Sequence, residues 1–477
     1  MDPSTIPAYA APALEIAWVI AAAVYIIMQR RSAPATLAWV FALAFLPFVG
    51  IAVYFWLGPR RYTLRRTRRR RAVAAVDRCS AMDRGVLSAG LHDAQLAKMI
   101  RSAVGIAGAV RHADVTFYFD GKSKFDALEE AIASAERHVH FEYYIYEPDR
   151  IGTRVRDLLT ERAKAGVEVR VLVDGFGSSR AQRRFFAPLV DAGGQVRHFN
   201  ELSFLRWRPR MVNFRTHRKI VVIDGRIGFT GGMNLTEVQS SEFLGPAAWR
   251  DSHVRLAGPA VAGLQRVFLE DWLYAGGEDI PETDVYLCSD EHAPVGDRPV
   301  QIVISGPDEN RDAIHKVFFT AIAGATERVQ LTTPYFVPDE TIQNALMVAA
   351  LGGVTVELLV PARGDVPFVA AAAESYYPEL LDNGVHIFAH DEPVLHAKTL
   401  VVDDCAIVGS ANTDNRSFRL NFEVAAVIHD RVAADELSDA FNADLANAHR
   451  VTRADLDDRG FLRRLVSSTA RLFSPLL

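Results

Sequence analysis

At 477 residues, about half of them apolar, the chain is long enough for about three domains and fits a globular protein that carries a membrane segment. Cys79, Cys288 and Cys405 are too few and too widely spaced for a disulfide framework or a zinc site, and they suit a reducing compartment. The net charge of −5 hides a local excess: Gly58 to Arg71 holds eight arginines and no acid, so the rest is acidic, unlike a general nucleic-acid binder with its basic footprint on the folded domain.

The N-terminus opens with two apolar runs, Ala10 to Met28 (broken by Glu15) and Thr36 to Leu57, joined by Gln29 to Ala35. Each is close to the roughly 20 residues that span a bilayer. No basic n-region precedes the first, which argues against a cleaved signal peptide. Two transmembrane helices, at about 10–28 and 36–57 within an anchor of residues 1–71, are therefore expected. Trp56 suits an aromatic belt, and Arg60, Arg61, Arg65, Arg66, Arg68, Arg69, Arg70 and Arg71 follow it. They outnumber Arg30 and Arg31 and predict a multi-pass protein of the plasma (inner) membrane with its C-terminal body in the cytoplasm. The cluster also suits anionic headgroups, and a pure topology signal is an equal reading.

Residues 72–110 read as a helical connection. Strand signals at Val115 to Phe119, His138 to Tyr146 and Val167 to Val173 then alternate with helical patterns at Lys124 to Arg137 and Gly152 to Ala165. That alternation predicts an α/β fold with a mixed or parallel sheet. The chain repeats itself: AIASAERHVHFEYYIYEPD from Ala131 corresponds to AIAGATERVQLTTPYFVPD from Ala321, and Gly166 to Val173 corresponds to Gly353 to Val360. This is duplication of a large unit. Two related domains, 111–274 and 300–477, are expected about an acidic, Gly- and Pro-rich linker at 275–299, packed with pseudo-twofold symmetry.

Each half carries one unusual stretch. THRKIVVIDGRIGFTGGMN places His217, Lys219, Asp224 and Asn234 around a buried strand, and LHAKTLVVDDCAIVGSAN places His396, Lys398, Asp403, Ser410 and Asn412. Residues i and i+2 share a face of a strand, so each His points with its Lys. One such pair is ordinarily a solvated strand end, but recurrence of the whole pattern is not. Two imidazoles and two ammonium groups about one pocket suit a phosphodiester: the lysines stabilise developing negative charge, one histidine attacks phosphorus, and the other moves the proton. Nothing in the chain suggests a metal or another cofactor. A nucleophilic histidine needs one tautomer held, and each motif has an acid downstream. Asp251 is expected to orient His217, and Glu423 to orient His396. Asp224 and Asp403 read as making hydrogen bonds in the turns after their strands, and His138, His140 and His253 as structural.

These paired H-x-K-x4-D motifs, with WRDSHVRLAGPAV, GSANTDNRSFRLNFE and the N-terminal apolar runs, resemble the bacterial cardiolipin synthases of the phospholipase D superfamily over essentially the whole chain. The resemblance implies two phospholipase D-like halves and phosphatidyl transfer between two phosphatidylglycerol molecules through a phosphohistidine. It carries His217, Lys219, Asp224, His396, Lys398 and Asp403 over as the catalytic set, supported by Asn234, Ser410 and Asn412, with His217 the nucleophile by family precedent. Two departures stand out: Gly232 where the superfamily often has Ser, and one residue fewer between Asp403 and Gly409 than between Asp224 and Gly231. Hydrolysis, transfer to another alcohol, and an inactive membrane-anchored lipid-binding protein are the alternatives. Phe204 to Met211 and Phe461 to Leu477 interleave basic and large apolar residues and are expected to meet anionic lipid at the interface.

Overall fold

The computed structural model describes residues 10–28, 33–46, 50, 73, 94–104, 110–200, 214–277, 286, 296–307 and 312–474. The arginine cluster at 60–71, Trp56, the loop 204–211 and most of the linker lie outside them.

Two units separate among the described residues, 10–28 with 33–46 and 50, and the rest. In the first, helices Ala10–Ile27 and Ala33–Phe45 pack on each other about Ile26 and Leu43, while Ile20, Val24, Phe41 and Phe45 stay exposed. Among the described residues no helix is long and apolar enough to cross a membrane. The two expected spans, at about 10–28 and 36–57, are therefore not shown by the described residues. The described helix in the second apolar run, Ala33–Phe45, has 13 residues, and the run beyond Leu46, save Gly50, lies outside the described residues.

The second unit is built on one 15-stranded sheet. Its first half contributes β1 (Arg111–Tyr118), β2 (His138–Tyr143), β3 (Glu168–Asp174), β4 (Gln195–Phe199), β5 (Lys219–Ile223), β6 (Ile227–Gly231) and β7 (His253–Ala257). The second contributes β8 (Arg298–Ser305), β9 (Arg328–Thr332), β11 (Thr355–Pro361), β12 (His386–His390), β13 (Thr399–Val402), β14 (Cys405–Gly409), β16 (Glu423–His429) and β17 (Ala448–Val451), and β10 (Phe336–Val337) pairs apart with β15 (Thr413–Asp414). The order is β4-β3-β2-β5-β6-β7-β1 and then β8-β16-β14-β13-β9-β11-β12-β17. Apart from β17, the second run mirrors the first, and the seam is the antiparallel pair β1–β8, with His112 opposite Pro299. An antiparallel pair is related to itself by a local twofold, so the pseudo-symmetry of the halves passes through this ladder. Pairing is parallel within β2-β3-β4 and β9-β11-β12 and antiparallel near the seam, giving the mixed sheet.

The repeated Pro-Asp dipeptide has a local cause. Asp149 and Asp339 are N-caps: their carboxylates accept from Gly152 N at 2.9 Å and Ile342 N at 3.2 Å, starting helices Arg150–Lys164 and Glu340–Leu351. One apolar layer covers the outer face of each half, and a third, from Val254 and Phe268 to Val424 and Leu437, is shared by both. Helix Ala94–Val104, expected as a connection, buries Leu96 and Ile100 in the core of the second half.

Candidate active site

The two halves reach across the seam in matching register. Thr216 bridges to Phe422, with His217 N donating to Phe422 O at 2.9 Å; Leu395 bridges to Arg250, with His396 N donating to Arg250 O at 2.7 Å. One residue further on in each segment, a histidine lies beside an acid. His217 Nδ1 is 3.0 Å from Glu423 Oε2, and His396 Nδ1 is 2.6 Å from Asp251 Oδ2. This corrects the expected pairing: Asp251 does not orient His217, nor Glu423 His396. Each acid serves the histidine of the other half, because the bridges bring the segment ahead of one acid against the opposite motif.

The carboxylate accepts, so Nδ1 carries the proton and Nε2 keeps its lone pair. Burial lowers the pKa of His217 to about 4, against the opposing pull of Glu423; burial and then Lys398 lower that of His396. Both acids are fully buried, which alone would raise their pKa. For Asp251 Lys398 and His396 outweigh this, and for Glu423 His217, its hydrogen bond and Lys219 do, so both stay ionised.

Lys219 Nζ donates to His217 O at 2.7 Å, and Lys398 donates to His396 O. Burial lowers Lys219 to about 7 and Lys398 to about 8, Glu423 opposing it most for the first and Asp251 for the second. These are cations held at the edge of ionisation, to which an anion at the site would restore the proton. The carboxamide oxygens of buried Asn234 and Asn412 have no hydrogen-bond partner among the described residues.

Around this centre the halves differ. Ser410 Oγ donates to Glu423, and Asn421 Nδ2 adds a bond of 3.1 Å. The matching place near Asp251 is Gly232, and Gln239 Nε2 supplies the bond instead, at 3.0 Å. Tyr144 stands edge-on to His217 at 4.8 Å, and Trp249 tilts over His396 at 5.3 Å. Sequence reading missed Gln239, Tyr144 and Trp249; only Trp249, two residues before Asp251, carried a local signal. His253, read as structural, is fully buried with no partner at either ring nitrogen among the described residues, and burial followed by Lys124 and Lys219 keeps it neutral.

Asp224 and Asp403 stand apart from the histidines, which corrects their place in the catalytic set. Asp224 accepts from the backbone N of Glu136, Arg137 and His138 at 2.8–2.9 Å, and Asp403 from Thr326, Glu327 and Arg328 at 2.8–2.9 Å. Each has positive φ, 55° and 48°. A strand rises about 3.3 Å per residue, so Asp224 lies roughly 20 Å beyond His217, at the far end of β5. The shorter spacing in the second motif is confined to the turn: Ile223 pairs with Ile227, and Val402 with Cys405. Among the described residues no group of His, Cys, Asp and Glu could hold a metal ion.

Residues 128–262 and 318–445 match the family model described as cardiolipin synthase, PLD-like domain, and residues 16–59 match the phospholipase D-nuclease N-terminal model. The chain is 36% identical to a cardiolipin synthase of Alkalihalophilus pseudofirmus over 96% of its own length and 92% of that protein's. It is also 36% identical to the major cardiolipin synthase of Bacillus subtilis, over 96% and 97%. A phosphatidylserine synthase structure from Haemophilus influenzae superposes with a TM-score of 0.60 at 15% identity, covering 80% of this chain and all of that one, a likeness of fold.

Proposed function

We propose a reaction for this chain from one premise: it belongs to the phospholipase D-like family of cardiolipin synthases. It transfers a phosphatidyl group from one phosphatidylglycerol to another, giving cardiolipin and glycerol. What supports the mechanism most is the crossed pair of imidazole–carboxylate contacts, His217–Glu423 and His396–Asp251.

His217 Nε2 attacks phosphorus; the N–P bond forms, the P–O bond to glycerol breaks, and His396 gives the leaving oxygen its proton. A hydroxyl of the second phosphatidylglycerol then attacks, His396 takes its proton, and the N–P bond breaks to free His217. His396 is assigned the proton transfer because its bond to Asp251 is the shorter of the two, at 2.6 Å; burial and Lys398 lower its pKa in the free site, and a bound phosphate anion joins Asp251 in opposing them, so that Nε2 takes up a proton as the diester binds. Lys219, Lys398, Asn234 and Asn412 face the charge that accumulates on the phosphoryl oxygens. The histidines are only 7–8% exposed, which favours a lipid hydroxyl over water at the intermediate.

The substrates place the enzyme at a membrane. The outward apolar side chains of the N-terminal helix pair support anchoring there. Spans at 10–28 and 36–57, with the halves held cytoplasmic by the arginines of 60–71, are the finer reading of that anchor.

Incubation of the purified chain with labelled phosphatidylglycerol alone, beside His217→Ala, tests the reaction. Cardiolipin and glycerol, absent with the variant, are expected. Phosphatidic acid as the main product would overturn it in favour of hydrolysis.

A further inference from the structure

The last helix, Phe461–Arg471, is packed the wrong way round for a soluble surface. It buries Ser467 and Ala470. Phe461 (73% exposed), Leu462 (72%), Leu465, Val466, Leu472 (77%) and Phe473 stay outside. Its inner contact is with helix Pro367–Glu374, which buries Ala372 and Ala373. Val366, which caps that helix, and Phe368 within it are exposed as well, and the Phe368 ring lies 5.7 Å from that of Phe473. A soluble amphipathic helix turns its apolar stripe to the core. Here small residues face the body, and a contiguous apolar face is left outward, too large to be the scattered exposure of a soluble surface.

Charge identifies the occupant. From Arg459 to Leu477 the chain has four arginines and no acid. Arg459 and Arg463 pair with Glu374, and the Arg471 guanidinium lies 4.6 Å over the Tyr376 ring. Arg463, Arg464 and Arg471 remain exposed beside the apolar face. Bulky apolar residues flanked by arginines suit the boundary between headgroups and acyl chains of an anionic bilayer.

The helix is also fastened to the site. Ser474 Oγ accepts from Tyr376 Oη at 2.8 Å, and Ser474 O accepts from Asn415 Nδ2 at 3.2 Å. Asn415 follows Asn412 by three residues and begins the short helix after β15. We infer that Phe461–Phe473, with Val366 and Phe368, is a bilayer-docking face that seats the second half in the headgroup layer of an anionic membrane. The choice of a bilayer as partner rests on the lipid substrate proposed above.

Spin labels read this directly. The full chain, with Cys79, Cys288 and Cys405 replaced by alanine and either Leu462→Cys or Arg464→Cys labelled, is placed in phosphatidylglycerol nanodiscs. The ratio of oxygen to nickel-chelate accessibility is expected to be about fivefold higher at Leu462→Cys than at Arg464→Cys. In the unmodified chain, tryptic cleavage after Arg464 is expected to slow about tenfold on those discs relative to detergent. Equal ratios with unchanged cleavage would overturn the inference. Dipolar broadening that grows with protein concentration would give the face to a second copy of the chain and overturn it too. Neither readout needs turnover, so a chain that makes no cardiolipin would refute the reaction without deciding this result.

Discussion

A β-carbon at Gly232 would stand 2.1 Å from Asp251 Oδ1. No side chain fits there without moving the carboxylate that holds His396. The other half tolerates Ser410 in the same role because that hydroxyl is itself a donor to Glu423. So the glycine is the counterpart of a different donor: Gln239 approaches Asp251 where a serine would otherwise stand. Gly232→Ala is expected to lower kcat by about 10²-fold through displaced Asp251, and Gln239→Leu by about tenfold, with KM little changed. Steady-state transfer rates on phosphatidylglycerol check this. A Gly232→Ala enzyme within twofold of the parent would show that Asp251 has room to shift.

The crossed pairing makes a prediction that pairing within each half reverses. A phosphatidyl ester of p-nitrophenol leaves without needing a proton. His396→Ala and Asp251→Asn are therefore expected to lose about 10³-fold on phosphatidylglycerol yet keep a burst of nitrophenol within about tenfold of the parent. His217→Ala and Glu423→Gln should lose the burst, because the nucleophile or its tautomer is gone. Stopped-flow absorbance resolves the four. A surviving burst in Glu423→Gln together with a lost one in Asp251→Asn would restore the pairing within each half.

Much of this site is legible in the sequence alone. The duplicated motifs, the buried strands and the two acids stand in the sequence because strand alternation and repeated spacing are local. Which acid meets which histidine is not local. It depends on the β1–β8 seam and on the bridges Thr216–Phe422 and Arg250–Leu395, between residues far apart along the chain. Gln239 escaped for a related reason: it lies outside both motifs and has no counterpart in the other half. The first apolar run, read as 10–28, is one helix, Ala10–Ile27, because an unbroken apolar run is a local signal; the second, beyond Leu46 and save Gly50, lies outside the described residues.

Lys219, Lys398 and the proton that His396 delivers together set the alkaline side of the pH profile. With His396 lowered from 6.5, Lys219 to about 7 and Lys398 to about 8, kcat/KM is expected to fall as pH rises, His396 losing its proton first and the lysines next. The limb for kcat should lie higher, since bound phosphate restores the protons. On the acid side His217 must be neutral, so kcat/KM should hold down to about pH 4 as far as this group is concerned. Initial rates at limiting and saturating substrate separate the two limbs. Coincident alkaline limbs would mean that neither lysine senses the phosphate.

The same burial costs stability, with a definite sign. Lys219 binds its proton less readily folded (about 7) than unfolded (10.5), so between these values the unfolded chain holds more protons and stability rises with pH. Below that window the penalty is fully present. Lys219→Met is accordingly expected to abolish transfer while raising Tm by about 2 °C at pH 6.5, an advantage that shrinks as pH approaches 10. Thermal scans across that range decide it. A variant less stable than the parent at pH 6.5 would mean that the lost bond to His217 O outweighs the relief from burying a charge.

Asp224 gives the converse case, a motif residue whose loss should spare chemistry. Its carboxylate ties the turn before β2 to the end of β5 through three backbone N–H groups. At positive φ it also occupies a backbone state that Asn tolerates nearly as well. Asp224→Asn keeps one acceptor oxygen and should cost about 1 kcal/mol, whereas Asp224→Ala strands the three donors and should cost about 3 kcal/mol. In both, kcat per folded molecule should stay within about twofold, because the residue lies roughly 20 Å from His217. Denaturant unfolding paired with active-site titration separates folding loss from chemical loss. A hundredfold fall in kcat for fully folded Asp224→Asn would return this residue to the catalytic set.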